Sequence, residues 1–264
     1  MPMTTLPPRT RPRDAGSRAG YAWHEFDSAY YLKENYAFAR DEDRQFAGVM
    51  RDFFADAVPR DKGLPAEGLR GVDVGSGTNL YPALAMLPFC NDITLAEYAE
   101  PNIEWLNDEK ADFSATWDPF WGVYEENERY ADPRIVGDPR AALDRAAHVE
   151  RYSVFQLPEA EWQIGTMFFV AESITTEAEE FHAALHGFVG SLRAGAPFAA
   201  AFMENSNGYT VGGNEYPAVK VRIADVERCL GGTADIRKTS RVGKGDDPLR
   251  DGYTGMFLVC GIKL

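Results

Sequence analysis

The chain has 264 residues, 45% hydrophobic and 12% aromatic, which is enough apolar surface for a sizeable core and too much for a disordered polypeptide. Lys and Arg number 27 against 41 Asp and Glu, and the resulting net charge of −14 speaks against a nucleic-acid polyanion as partner while suiting a neutral or cationic small molecule. Three cysteines (Cys90, Cys229, Cys260) form no even set and no metal-like spacing, and no run of about 18 apolar residues occurs, so a cytoplasmic protein without disulfides or membrane span is expected.

Residues 1–20 are rich in Pro and Arg and lack an apolar stretch, which predicts a mobile basic tail rather than a signal peptide. Residues 21–264 read as a single domain. Aromatics spaced along His24 to Arg40 predict a helix, and a second is predicted from Asp41 to about Ala57. Pro and Gly mark residues 59–68 as a loop. Leu69 to Val74 reads as a short strand ending in Gly75-Ser76-Gly77, and Leu80 to Leu87 as a helix. Asp92 to Glu97 is the second strand, and Pro101 to Asp108 is a helix with Pro in its first turn. Further strands are predicted over His148 to Phe155, Ile164 to Ala171 and Pro197 to Met203, with a helix over Thr176 to Leu192. A helix over Ile223 to Cys229 and strands over residues 234–241 and 254–263 complete the chain.

Strands alternate with helices, and the middle strands are continuously apolar. This is the signature of an α/β fold whose mostly parallel sheet is covered by helices on both faces. Two inserts break the rhythm. Residues 111–147 carry Trp117, Phe120, Trp121 and Tyr124, read as helix packing. Residues 204–221 are rich in Gly and Asn and carry Tyr209 and Tyr216. His182 and His186 are four apart on a helix, but no Glu lies between them as in a zinc H-E-x-x-H site, so no metal is expected.

The segment Val72-Asp73-Val74-Gly75-Ser76-Gly77-Thr78-Asn79-Leu80-Tyr81 carries the most chemistry. Small residues at the carboxyl end of a first strand let a ligand approach the backbone, and the following helix start offers free N–H groups to an anionic group. The third glycine of G-x-G-x-x-G is absent, with Leu80 in its place. Glu97 ends the next strand, 22 residues after Gly75, where an acid can accept both hydroxyls of a ribose. Together these point to an adenosine-containing cofactor, either NAD or S-adenosylmethionine.

Three segments separate the two. Tyr30-Tyr31-Leu32-Lys33-Glu34-Asn35-Tyr36-Ala37-Phe38, then V-D-V-G-S-G-T-N-L-Y, then L-A-E-Y-A-E-P-N resemble, in order and spacing, the nicotinamide, phenylethanolamine and thioether/indolethylamine N-methyltransferases. The resemblance implies a Rossmann-like class I methyltransferase with a seven-stranded sheet whose last strand is antiparallel. It also implies an N-terminal helical lid (21–58), S-adenosyl-L-methionine as cofactor and S-adenosyl-L-homocysteine as product. Carried over residue by residue, Tyr31, Tyr36 and Tyr81 match the tyrosines at the methionine carboxylate, and Gly75, Ser76 and Gly77 the glycine loop. Glu97 matches the ribose acid, usually Asp; Tyr98 and Asn102 flank adenine. The family's adenine-clamping Asp is missing, and Ser153 and Val154 stand nearest to it. Val170 falls next to the sulfonium.

On the acceptor side, Glu172 and Glu204 each end a strand where the family's substrate acids fall, and Asn205 competes with Glu204 because the stretch before Tyr209 is two residues short. Tyr209 matches the aromatic that stacks on the acceptor, and Tyr31 supplies a second wall. Glu172, Glu204 and Tyr31 are therefore the catalytic candidates, and Tyr209, Asn205, Glu204 and Glu172 the substrate-binding ones. The expected reaction is N-methylation of a small amine or aza-aromatic. The alternatives are C-methylation of an aromatic carbon such as indole, O- or S-methylation in specialised metabolism, an NAD-linked oxidoreductase, and a pseudoenzyme that binds the cofactor without turnover.

Overall fold

The apolar runs of the middle of the chain become a seven-stranded sheet in the computed structural model, which describes residues 20–59, 68–245 and 248–264. In chain order the elements are α1 (Ser28–Tyr36), α2 (Asp41–Ala57), β1 (Leu69–Val74), α3 (Tyr81–Leu84), β2 (Cys90–Glu97) and α4 (Glu100–Glu109). There follow α5 (Asp118–Tyr124), α6 (Glu128–Ala131), α7 (Pro139–Ala146), β3 (Ala147–Arg151), β4 (Ile164–Phe168), α8 (Ala178–Ser191) and β5 (Pro197–Glu204). The last are β6 (Tyr209–Val211), β7 (Asn214–Tyr216), α9 (Ile223–Leu230), β8 (Ala234–Gly243) and β9 (Gly255–Lys263).

The strand order is β3-β2-β1-β4-β5-β9-β8, parallel through β5, with β9 antiparallel to both of its neighbours. The chain reverses direction across the sheet between β1 and β4, and this switch opens a crevice at their carboxyl ends. Both faces are buried. Along β5, Ala199, Ala201 and Met203 enter one core with Phe46, Met50 and Tyr81, while Phe198, Ala200 and Phe202 enter the other with Phe181 and Phe188. The helix α2 buries Asp43, Phe46, Ala47, Met50 and Phe54, one stripe at helical spacing, against the first core.

Several boundaries differ from the sequence reading, each for a physical reason. The first predicted helix is a 3-10 turn (Trp23–Glu25) followed by α1, because the Asp27 carboxylate accepts the Tyr30 N–H at 2.9 Å and starts a new helix there. The helix after the glycine loop lasts only from Tyr81 to Leu84. Hydroxyls from the 111–147 insert meet carbonyls in and just after it: Tyr124 donates to the Tyr81 carbonyl at 2.6 Å and Tyr130 to that of Ala85, the residue after the helix, at 2.8 Å. The third strand stops at Arg151, and Ser153 caps a 3-10 turn instead. The fourth strand stops at Phe168, because Phe169 adopts a left-handed φ of 60°. The 204–221 insert holds the β6–β7 hairpin. The expected tail, apart from Gly20, and the expected loop between residues 59 and 68 lie outside the described residues.

Candidate active site

At the switch point, the loop after β1 turns through left-handed conformations at Gly75 (φ 66°) and Gly77 (φ 56°). A Cβ on Gly75 would stand 2.5 Å from Val170 Cγ2, so the close approach of this loop to the end of β4 requires glycine. The resulting cleft encloses about 920 Å³ up to its mouth, at the upper end of the ~300–1,000 Å³ typical of small-molecule sites. Tyr31, Tyr36, Gly75, Ser76, Gly77, Glu97, Tyr98, Asn102, Ser153, Val154 and Val170 all line it. Tyr81 does not. It is fully buried behind Tyr36, stacked on Phe120 at 4.8 Å, and its hydroxyl donates to Asp43 at 3.3 Å.

Glu97 is nearly saturated within the fold. Oε2 accepts the Gly77 N–H at 2.8 Å, and Oε1 accepts those of Tyr98 and Ala99 at 2.7 and 2.8 Å. Burial raises its pKa above the usual carboxylate value, and these backbone donors together with the Asn102 side chain oppose the rise. A carboxylate offers about four acceptor sites, so a ribose would exchange with Asn102 rather than find Glu97 free on both oxygens. Asn102 in turn accepts from the Ser28 hydroxyl at 2.7 Å, which ties the acid's neighbourhood to the first residue of α1.

The residues present fit an adenosine-type cofactor. Thr78 lines the cleft, and its buried hydroxyl has no partner among the described residues. An unpaired buried donor is costly unless a ligand satisfies it. The sequence reading missed Thr78. It also missed Trp23 and Phe26, which line the cleft from before α1, and Phe169. The signal for Phe169 was its place at the carboxyl end of a central strand. Its backbone strain is of the kind that collects at functional sites.

A second cavity, about 1170 Å³ to its mouth, adjoins the first. Tyr31, Tyr36, Phe169, Ser173 and Tyr209 line both. Asp43 and Arg250 line the second, and neither was singled out from the sequence. Burial pushes the Asp43 carboxyl up to about 7 and the Tyr31 phenol up to about 12. Tyr31 is therefore a protonated wall at neutral pH, whereas Asp43 can gain or lose a proton there.

The strand-end acids are placed differently. Glu172 is fully buried and lines neither cavity; Oε1 accepts the Met203 N–H at 2.9 Å, Oε2 has no partner, and burial raises its carboxyl to about 7. Glu204 also lines neither cavity. Both of its oxygens accept from Arg241 Nε at 3.1 Å, Thr254 donates at 2.7 Å, and the Arg241 guanidinium lowers its pKa. Asn205 faces a separate depression with Arg222 and Thr254. The structure therefore brings Tyr209 and Tyr31 together at the shared wall, and leaves Glu172, Glu204 and Asn205 outside it.

A parallel sheet of this order with its crevice beside a β1 glycine loop defines a class I methyltransferase. Solved structures agree on the fold. A crystal structure of a glycopeptide N-methyltransferase complexed with S-adenosyl-L-homocysteine is 10% identical, covers 86% of this chain and 92% of its own, and has a TM-score of 0.52. An S-adenosylmethionine-dependent methyltransferase from Clostridium acetobutylicum is 9% identical over 89% of this chain and 96% of its own, also at 0.52. The model of the NNMT/PNMT/TEMT family matches residues 17–263, and the chain belongs to that family. Phenylethanolamine N-methyltransferase of Mus musculus is 24% identical over 243 residues, 82% of this chain and 77% of that protein. The chain is thus a methyltransferase with S-adenosyl-L-methionine as cofactor, and the NAD-linked alternative falls. Among the described residues no helix is long and apolar enough to cross a membrane.

Proposed function

We propose that the enzyme methylates a nitrogen of a small amine or aza-aromatic metabolite held in the second cavity. The observation that carries this reading is the wall shared by the two cavities, Tyr31, Phe169, Ser173 and Tyr209, across which a bound acceptor meets the cofactor cleft. The similarity to a phenylethanolamine N-methyltransferase supports nitrogen as the accepting atom. In this reading Glu97, Tyr98, Asn102, Ser153 and Val154 hold the nucleoside end of the cofactor. Gly75, Ser76, Gly77, Tyr31 and Tyr36 hold the amino-acid end, Val170 lies beside the sulfur, and Tyr81 supports Tyr36 from behind.

The cofactor supplies a methyl group made electrophilic by a sulfonium. What the chain adds is position and dryness. Holding the nucleophile in line with the methyl carbon removes most of the entropic barrier, and aromatic walls keep water out. An ammonium acceptor must first lose a proton, and Asp43, poised near neutrality on the cavity wall, takes it. Glu172 acts at one remove, as a buried carboxyl whose charge is felt by Tyr31 and Tyr209.

The test is thermal unfolding with S-adenosyl-L-methionine, S-adenosyl-L-homocysteine or NAD, followed by label transfer from methyl-labelled cofactor to a panel of amines, aza-aromatics and indoles. Either adenosyl ligand at ~100 times its dissociation constant adds about 2.7 kcal/mol, a rise of about 5–10 °C for a chain of this size. Label recovered on carbon, oxygen or sulfur alone would refute nitrogen as the acceptor.

A further inference from the structure

Resting on the assignment of the second cavity to the acceptor, we propose that Arg250 is an anion anchor and that the natural acceptor carries a carboxylate in addition to its nucleophilic nitrogen. Arg250 lies in the β8–β9 connection and lines that cavity. Among the described residues its guanidinium is held in place by neutral partners. Nη1 donates to the Gly208 carbonyl, Nη2 donates to the Ser206 hydroxyl at 3.0 Å, and the group lies 5.1 Å from the centre of the Tyr209 ring. Ser206 is itself fully buried. Two of five N–H groups are used, so part of the fork remains for a ligand, in the geometry that matches a carboxylate.

No carboxylate among the described residues lies within 4.0 Å of Arg250; Arg44, Arg193 and Arg222 are also held by neutral oxygens, but they line neither of the two cavities. In a chain of net charge −14, an arginine fixed in a cavity with no counter-ion among the described residues points to a counter-ion that arrives with the ligand. The acids around it do not fill that role. Asp251 faces Lys244 at 3.2 Å, Glu34 is exposed, and Asp43 accepts from the Tyr81 hydroxyl at 3.3 Å and makes no ion pair with Arg250.

The position of the charge also limits the chemistry. Arg250 favours negative charge on Tyr31, Tyr209 and Glu172, the groups at and behind the shared wall. A simple ammonium is repelled there, and so is the fixed positive charge that methylation leaves on a fully substituted or aromatic nitrogen. A carboxylate on the same molecule removes both penalties. Tyr209 is engaged accordingly: its ring stacks on Tyr216 at 5.4 Å and carries the guanidinium, so it seats Arg250 as well as forming the wall.

The test pairs probes that differ in the carboxylate, nicotinate against nicotinamide and tryptophan against tryptamine, with the full chain saturated by S-adenosyl-L-homocysteine. Binding is read by thermal shift in that complex, and methyl transfer in a separate assay with methyl-labelled S-adenosyl-L-methionine in place of S-adenosyl-L-homocysteine. In at least one pair the carboxylate member should bind about tenfold or more tightly, the margin of a charge-assisted fork. Arg250→Gln should abolish that preference while keeping the midpoint rise given by S-adenosyl-L-homocysteine. Arg250→Lys, which keeps a charge but not the fork, should fall between. Equal or better binding of the members without a carboxylate, a preference that survives Arg250→Gln, or no binding of any carboxylate to a complex that does bind S-adenosyl-L-homocysteine would overturn this proposal alone. Failure of S-adenosyl-L-homocysteine itself to bind would overturn the cofactor reading and the proposal with it.

Discussion

Replacing Gly75 with alanine tests whether the glycine loop is shaped by the cleft. Two costs act together. Gly75 has φ 66°, where an L side chain costs about 1–2 kcal/mol. The new methyl also stands 2.5 Å from Val170 Cγ2, well inside the ~3.5–4.0 Å of a normal carbon contact, so Val170 or the loop must give by about an ångström. Overpacking of this kind costs about 1–3 kcal/mol. The sum, about 2–5 kcal/mol, lowers the unfolding midpoint by roughly 4–20 °C for a chain of this length. Gly77→Ala is the internal control. Gly77 is also left-handed, φ 56°, but its added methyl would meet only the Gly75 carbonyl at 3.7 Å, an ordinary contact. It should lose only the conformational part, about 1–2 kcal/mol. Adding Val170→Ala should relieve the steric part of Gly75→Ala and nothing in Gly77→Ala. Differential scanning fluorimetry with and without S-adenosyl-L-homocysteine reads both stability and affinity. Equal destabilisation by the two glycine substitutions, or no relief by Val170→Ala, would refute the argument that Val170 closes on the loop.

Glu97→Ala leaves the N–H groups of Gly77, Tyr98 and Ala99 without their acceptor. It should weaken S-adenosyl-L-homocysteine binding at least about tenfold by calorimetry, with each stranded donor costing about 1–3 kcal/mol; affinity equal to the parent would remove Glu97 from the cofactor site. Glu204→Gln breaks the contact with Arg241, whose side chain is 45% exposed, so the stability loss should be small, about 0.5–1 kcal/mol after screening. The KM for the acceptor should not change, and a large rise would restore Glu204 to the acceptor site. Asp43 is a base only when ionised. With its carboxyl raised to about 7 by burial, kcat/KM for an ammonium acceptor should rise with pH through about 7. Asp43→Asn should lose that rise, and an unchanged profile would acquit Asp43.

What the sequence makes legible is what local chemistry dictates. The strand Leu69–Val74, the glycine turn and the acid ending β2 follow from adjacent residues and were placed as found. The losses occur where a distant partner decides. The run Met167-Phe168-Phe169-Val170 is uniformly β-prone, yet the strand ends at Phe168, because Phe169 turns left-handed as its N–H donates to the Ala201 carbonyl of β5 at 2.8 Å. The helix after Leu80 ends at Leu84, where tyrosine hydroxyls from more than 40 residues away reach the carbonyls of Tyr81 and Ala85.

The two strand-end acids make the same point about charge. Glu172 and Glu204 look alike in sequence, each closing a central strand before a polar loop. Their fates are set by groups 31 and 37 residues distant, a Met203 N–H for one and the Arg241 guanidinium for the other. Nothing local announces either partner. An ionisable group belongs to a ligand site when it faces a cavity and the fold has not already matched its charge. By that criterion Glu204, which Arg241 has matched and which lines neither cavity, is a weaker candidate for the acceptor site. Arg250, lying in a stretch with no motif at all and matched only by neutral oxygens and a ring, enters it.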